Sequence, residues 1–553
     1  MTNSRNSIVR KSGTRSWSRR QLLTTGARVA TALAVPQLWL PKAFGGTAAT
    51  FDYYISTTGS DSNAGTLAAP WAITSFQNTS ANNSKMAGKR IGLIAGTYST
   101  AGLSSSHGTD YTWNLMNIPG GTSSASTYVG SSDTSGNYSA RAATIVAGTA
   151  GTNYLAGLNP IMGSPGSQIS GKGSYITIDG IVFNGNNMDY SSNQSVCHIL
   201  SFYGVYNSAT SVDASETGIL IQNCELYGIR TTSHAGGNSA LIFFEGIHDS
   251  VVQNNYLHDV GSTAALDLGH VHGTQEYGCR NNQWIYNTLY NCCSGIDCKN
   301  SSTGSTVAYN YLYQCGSVAA AAQGGGSPIS GWDGYAEGGS GRSTPPYITG
   351  GPGGLSNISA WTYLIHHNIL DSCVGCSDIE QAPWDRLIPI SIWNNTVYET
   401  YTGGIWGWEV RQASPTGGLT FYNNIFQSAG TGTYSGISGK LGVTANNNVE
   451  IDYNCWYKPS GAYTAWWGIG VHGSTTTYGT FAAWQSAIQG DLAGAEAHSF
   501  VSNPTFSTTI VAGAGPTQFQ LGSGSPCLGT GLGGANLGAW DGTTTQIGCN
   551  FAT

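Results

Sequence analysis

Asp267, Asp297 and Lys299 are the residues whose types and spacing point most directly to chemistry. They lie in segments that can be laid over one another: Ala240 to Glu245, Ala265 to His270, Gly295 to Asn300 and Gly404 to Glu409. In that alignment Leu241, Leu266, Ile296 and Ile405 form one apolar column. Strand alternation then turns Asp267, Asp297 and Lys299 toward solvent. On consecutive strands of a parallel sheet, about 4.8 Å apart, the aspartates are neighbours and Lys299 stands one pleat away. Trp406 and Trp408, followed by Glu409, point outward further along the same columns. Like charges opposite one another on a sheet repel, so the pair calls for a cation or a shared proton. A solvated face neutralised by Lys299 is the plain alternative. Scarcity speaks against it, because lysine and arginine together number 21 in 553 residues.

A repeated phrase supplies the strands. IQNCEL at 221–226, VQNNYL at 252–257, IYNTL at 285–289, AYNYL at 308–312, IHHNIL at 365–370, IWNNTV at 392–397, FYNNIF at 421–426 and IDYNCW at 451–456 set apolar positions around a small polar one. That polar position falls at Cys224, Asn255, Asn287, Asn310, Asn368, Asn395, Asn424 and Asn454, at intervals of 31, 32, 23, 58, 27, 29 and 30 residues. A strand-and-turn unit of this period cannot bury its own apolar side; stacked units can. The spacing predicts an all-β fold, a right-handed parallel β-helix whose asparagines sit in turns and bond the next coil. The 58-residue interval is about two coils long and predicts a large insertion, rich in Gly, Ser and Pro over 320–359 and carrying Trp332. Cys224, Cys298 and Cys455 read as small core fillers, and Cys527 with Cys549 as the pair most readily joined. Of His366 and His367, one is expected in the turn ladder and the other exposed.

The two ends read differently. Arg10, Lys11, Arg15, Arg19 and Arg20 precede an apolar run from Leu22 to Leu40, and Ser18-Arg19-Arg20-Gln21-Leu22-Leu23 resembles a twin-arginine export signal. That resemblance implies a signal peptide over 1–48 and a periplasmic or extracellular product. The segment from Ser56-Thr57-Thr58-Gly59-Ser60-Asp61 through Asn63-Ala64-Gly65-Thr66 to Pro70-Trp71 resembles the opening of extracellular β-helix proteins. These belong to the pectate-lyase-like superfamily of polysaccharide lyases and glycoside hydrolases. The resemblance implies a short capping helix near 73–86, a β-helix over 49–500 including that cap, and a C-terminal capping region over 501–553.

Composition narrows the partner. Charged residues make up 9% of the chain and the formal net charge is −7, which excludes general affinity for nucleic acid or for an anionic membrane surface. Exposed Trp, Tyr and Asn on a rigid scaffold suit a polysaccharide or oligosaccharide, with apolar faces and a hydroxyl rim. A monomer is expected.

Two reactions fit such a face. Gly295-Ile296-Asp297-Cys298-Lys299-Asn300 resembles the strand that carries the catalytic lysine in calcium-dependent β-helix polysaccharide lyases. That resemblance implies Lys299 as the base abstracting a uronate proton, with Ca2+ held by Asp267, Asp297 and Glu276. Glycoside hydrolysis instead needs an acid and a base, for which Asp267 and Asp297 offer one pair and Asp333, Glu380 or Glu409 a second member. His270, His272, Arg280, Trp332, Trp406, Trp408 and Glu409 are candidate substrate contacts in either case. A zinc site at His270 and His272 lacks a third ligand with suitable spacing. A non-catalytic carbohydrate-binding or surface β-helix is the reading from a different class.

Overall fold

The computed structural model describes residues 50–77, 80–100, 105–107, 111–113, 116–147, 174–188, 198–203, 216–230, 239–261, 271–277, 279–299, 302, 304–316, 327–332, 363–373, 377–381, 390–399, 408–412, 419–428, 437–439, 449–459, 467–471 and 474–550. The expectations for the signal peptide, Asp267, His270, Asp333 and Trp406 fall outside them. Among the described residues the strands form three long sheets of twelve, ten and twelve members, parallel apart from one hairpin at Trp467–Val471 and Ser474–Tyr478. One coil shows the plan. Leu220–Gln222 joins the first twelve-stranded sheet, Glu225–Arg230 the second, and Ser239–Glu245 the ten-stranded sheet, before Val251–Gln253 returns to the first. This is the right-handed parallel β-helix that the repeat predicts.

Apolar columns fill the interior. Ile178, Ile221, Val252, Trp284, Val307, Ile365, Ile392, Phe421 and Ile451 follow one another in register along the first sheet, all buried. Leu226, Leu257, Leu289, Leu312, Leu370, Val397, Phe426 and Trp456 do the same along the second. Chain can turn between these sheets because one residue per coil adopts left-handed φ near +55°: Asn223, Asn254, Tyr286, Tyr309, His367, Asn394, Asn423 and Tyr453. The following residue is the ladder position. Each ladder amide from Asn255 to Asn424 donates to the carbonyl Oδ1 of the next at 3.0–3.2 Å, and that same Oδ1 accepts the preceding backbone N–H. Ser499 Oγ ends the ladder by accepting from Asn454 N at 2.7 Å. The buried backbone N–H of each of these ladder residues thus has a side-chain acceptor.

Asn310 bonds Asn368 directly, so the 58-residue interval is a single coil with an insertion, and that coil supplies Ile329–Trp332 to the ten-stranded sheet. Three expectations are corrected. Asn368 occupies the ladder; His366 and His367 are both buried, the first stacked on Trp393 at 4.2 Å and the second on Tyr309 at 4.9 Å. Cys527 does not join Cys549: it packs against Cys455 in an apolar cluster with Leu537, whereas the backbone N–H of Cys549 donates to Thr288 Oγ1, several coils away. Cys224, Cys298 and Cys455 are buried, as core fillers should be.

The third concerns the C-terminal end. It is closed by the helix Phe481–Asp491, whose N-cap Thr480 accepts from Ala483 N and whose Trp484 and Ile488 enter the core. Residues 503–550 instead run back along the outside as a strap. Its contacts step from Asn423 (Leu532 N, 2.8 Å) to Thr396 (Ala539 N, 2.9 Å), His367 (Asp541 Oδ2, 3.2 Å), Tyr309 (Gly548 N, 2.8 Å), Thr288 (Cys549 N, 2.9 Å) and Asn254 (Asn550 N, 2.9 Å). At the other end the short capping helix is a pair of 3-10 turns, Ile73–Phe76 and Asn83–Met86, that bury Phe76 and Met86.

Candidate active face on the ten-stranded sheet

Strand Ser294–Lys299 sits in the middle of the ten-stranded sheet, between Val271–Tyr277 and Ile329–Trp332. Ile296 and Cys298 are buried in the core, so alternation sends Asp297 to the outer face, as expected from sequence. The neighbours differ from expectation. Gln275 precedes Asp297 in register and Ser330 follows it, so no carboxylate stands directly beside it among the described residues. The sheet takes 271–277 where the sequence alignment took 265–270, and Ile296 is registered with Thr274 and Ile242, not with Leu241. Leu241 and Ile242 are both buried in the core. That local break in alternation places His272 on the outer side, where its Nδ1 lies 3.4 Å from Asp297 Oδ2. His198 shows the same placement by stacking on the outer Phe243 at 4.3 Å.

Asp297 is outward yet 1% exposed. Ser330 Oγ donates to its Oδ1 at 2.6 Å and Gln275 Nε2 donates to its Oδ2 at 2.9 Å. A buried charge needs such partners. Gln275 itself is fully buried, and its Oε1 has no partner among the described residues. The glycine that opens this strand has a steric reason: a Cβ on Gly295 would come within 2.1 Å of the Pro328 carbonyl oxygen.

Register extends the face in both directions. Asp297's column continues through Ser330, Asp378 and Glu409. Lys299's column runs from Glu245 and Tyr277 through Lys299 to Trp332, Glu380 and Arg411. Lys299, Trp332, Asp378, Glu380, Trp408, Glu409 and Arg411 are placed here by backbone register. The sheet therefore sets Asp297, Lys299, His272 and Trp332 on neighbouring strands, places Glu409 three strands beyond Asp297, and puts Trp408 opposite Ser377. It does not bring Glu276 or Arg280. Glu276 is registered with Phe244 and Cys298, both in the core, and accepts from Ser305 Oγ (2.6 Å), Asn282 Nδ2 (3.1 Å) and Trp284 Nε1 (3.1 Å); burial pushes its carboxyl up. Arg280 lies beyond the following turn, its N–H bonded to Ile247 O at 3.0 Å.

Asp297 and Glu276, two of the three calcium ligands expected from sequence, do not share a site, and the third, Asp267, lies outside the described residues. Both Asp297 oxygens face N–H or O–H donors, and Glu276 opens into the interior on the opposite side of the sheet. No group of three or more His, Cys, Asp or Glu among the described residues could hold a metal ion.

Glu245, Gln275 and Ser330 are the residues that sequence reasoning missed. Glu245 follows the run Leu241 to Phe244 and alternates outward from buried Phe244. It has no hydrogen bond or ion pair among the described residues, and burial pushes its pKa up to about 7.

No protein-family model matches this chain, and no curated protein matches it. Among solved structures it is similar to a rhamnogalacturonan lyase at 14% identity, covering 68% of this chain and 81% of that one, with a TM-score of 0.31. It is similar to a PL6-family polysaccharide lyase from Pseudopedobacter saltans at 10% identity, 84% and 95% coverage and a TM-score of 0.33. A protein solved in complex with xylose, XylC, gives 11%, 73%, 83% and 0.32. At such values the likeness carries nothing about chemistry.

Proposed function

We propose that this chain is a polysaccharide-degrading enzyme that cleaves its substrate on the outer face of the ten-stranded sheet. The observation that carries the reading is Asp297. An ionisable side chain is held buried and outward by Gln275 and Ser330, next to His272, on the strand that also carries Lys299. Core packing demands none of these groups. β-Elimination on a uronate polysaccharide uses Lys299 as a neutral amine that takes the proton beside the carboxylate, with Asp297 and His272 setting the field around it. Trp332 follows Lys299 in the same column, and tryptophan is a residue type that suits a sugar ring.

Hydrolysis of a neutral polysaccharide is the second reading, favoured by the register of Asp297, Ser330 and Asp378. Two coil steps separate these carboxyl-bearing positions by about 9.6 Å at the backbone, near the spacing that admits a water between acid and base. Calcium has no place in either scheme as drawn from these residues.

Incubation of the purified chain with pectate, alginate, xylan and glucans tests both, with and without chelator. Ultraviolet absorbance of unsaturated uronate, lost in Lys299→Ala, is the result expected for elimination. Reducing ends without absorbance, lost in Asp297→Asn, indicate hydrolysis. Activity abolished by chelator returns calcium to the mechanism. No product on any substrate rejects catalysis on this panel in favour of a binding scaffold.

A further inference from the structure

We propose that Glu245 is the acid that protonates the departing glycosidic oxygen at this face. The inference rests on the reading of the face as a polysaccharide-cleaving site, and deepens it. Glu245 stands on the outer side of the sheet in the column that runs from Tyr203 through Glu245 and Tyr277 to Lys299. Its flank is apolar and aromatic: Phe243 lies two residues before it, with its ring packed edge-on against Tyr277 at 5.3 Å. Glu245 is partly buried, and the fully buried acids around the coil have donors. Asp297 has Ser330 and Gln275, Asp179 has Tyr128, Tyr138, Gln222 and Asn223, and Glu276 has Ser305, Asn282 and Trp284. Glu245 has none among the described residues. A desolvated carboxyl without donors favours its neutral form, consistent with a pKa of about 7. The titratable groups around it are Tyr203 and Tyr277 on the two adjoining strands, Cys279 past the turn, and Lys299 one strand further.

The role is the same whichever way the bond breaks. In elimination, Lys299 takes the proton from carbon, the carbon–carbon double bond forms, and the C–O bond breaks as the Glu245 O–H proton passes to the leaving oxygen. In hydrolysis, water's oxygen bonds to the sugar carbon, its proton goes to Asp297 as base, and Glu245, in place of Asp378, protonates the leaving oxygen. Glu245 ends as a carboxylate and regains its proton from solvent. Its separation from Lys299 by one intervening strand, about 9.6 Å at the backbone, leaves room for a sugar unit between acid and base.

Glu245→Gln tests this on the full chain. Expected is a loss of roughly 100-fold or more in kcat on polysaccharide with KM little changed, the usual scale for general acid catalysis. The same variant should stay within about tenfold of wild type on an analogue whose leaving group is a nitrophenolate, which departs without a proton. The alkaline limb of the wild-type kcat profile should vanish in the variant. Gln is neutral, like the acid it replaces, so an unchanged Tm separates lost chemistry from lost fold; Glu245→Asp should recover part of kcat. A wild type that cleaves polysaccharide and a Glu245→Gln variant that matches it would overturn this inference and leave the site reading standing. A wild type that cleaves nothing overturns both.

Discussion

Asp297 allows structural and catalytic roles to be separated by one pair of substitutions. In Asp297→Ala the Ser330 hydroxyl and the Gln275 amide each lose an acceptor while staying buried. An orphaned buried donor costs about 1–3 kcal/mol, so the pair costs about 2–6 kcal/mol. Asp297→Asn is different because of Gln275. The introduced amide keeps one oxygen for Ser330 and presents N–H toward Gln275, where a donor now sits. Gln275 can turn its amide over, since its Oε1 is without a partner among the described residues. The flipped oxygen then accepts from the introduced amide, and the net cost falls to about 1 kcal/mol or less. Urea unfolding followed by tryptophan fluorescence reads both variants, and the product assay reads turnover. The expected pattern is two inactive proteins of which only Asp297→Ala is markedly less stable. Equal destabilisation of the two would refute the flip. An active Asp297→Asn would remove the carboxylate from the chemistry.

Three further outcomes follow from the same geometry. Asn368→Ala removes the acceptor of Asn310 N and the donor to Val307 O, and should cost about 2–6 kcal/mol; a loss below about 1 kcal/mol in urea unfolding would mean that water replaces the amide. Burial raises Glu496 from 4.5 to about 7, so the folded chain favours the protonated form, and stability is lost as pH rises from about 4.5 to 7. Glu496→Gln should therefore raise Tm above pH 7 and make no difference at pH 4; the reverse trend contradicts the assignment. Gly295→Ala drives a methyl against the Pro328 carbonyl oxygen and should lower both Tm and turnover, because Ser330 must move away from Asp297 with its strand.

The fold was readable because a period of about thirty residues with one asparagine per unit is a constraint between coils, and the ladder obeys the same intervals. The outward turn of Asp297 was readable from Ile296 and Cys298 on either side. The strand before it was not. Val271–Tyr277 sends Thr274 and Glu276 inward, and the partners that make an inward Glu tolerable, Asn282, Trp284 and Ser305, arrive from later in the chain. The segment around Asp267 alternates better and drew the alignment to itself. Glu245 was visible as a strand end, but a missing hydrogen bond has no sequence signature. Strap residues such as Phe519, Ala539 and Ile547 lack any period, so they read as an end piece although they cover Tyr311, Ile369 and Tyr398 along the side.

That strap changes how the molecule can come apart. A bare solenoid is held by nearest neighbours, so it can fray coil by coil from either end. Here Asn550 meets Asn254 and Asn423 meets Leu532, which couples the coils between them through one continuous segment. Such long-range contacts can form only after the intervening coils have stacked, at the cost of a large closed loop. The strap therefore closes after the coils it spans have stacked: an unfolding that reaches the coils between Asn254 and Asn423 must also peel it away, and their loss becomes a joint event.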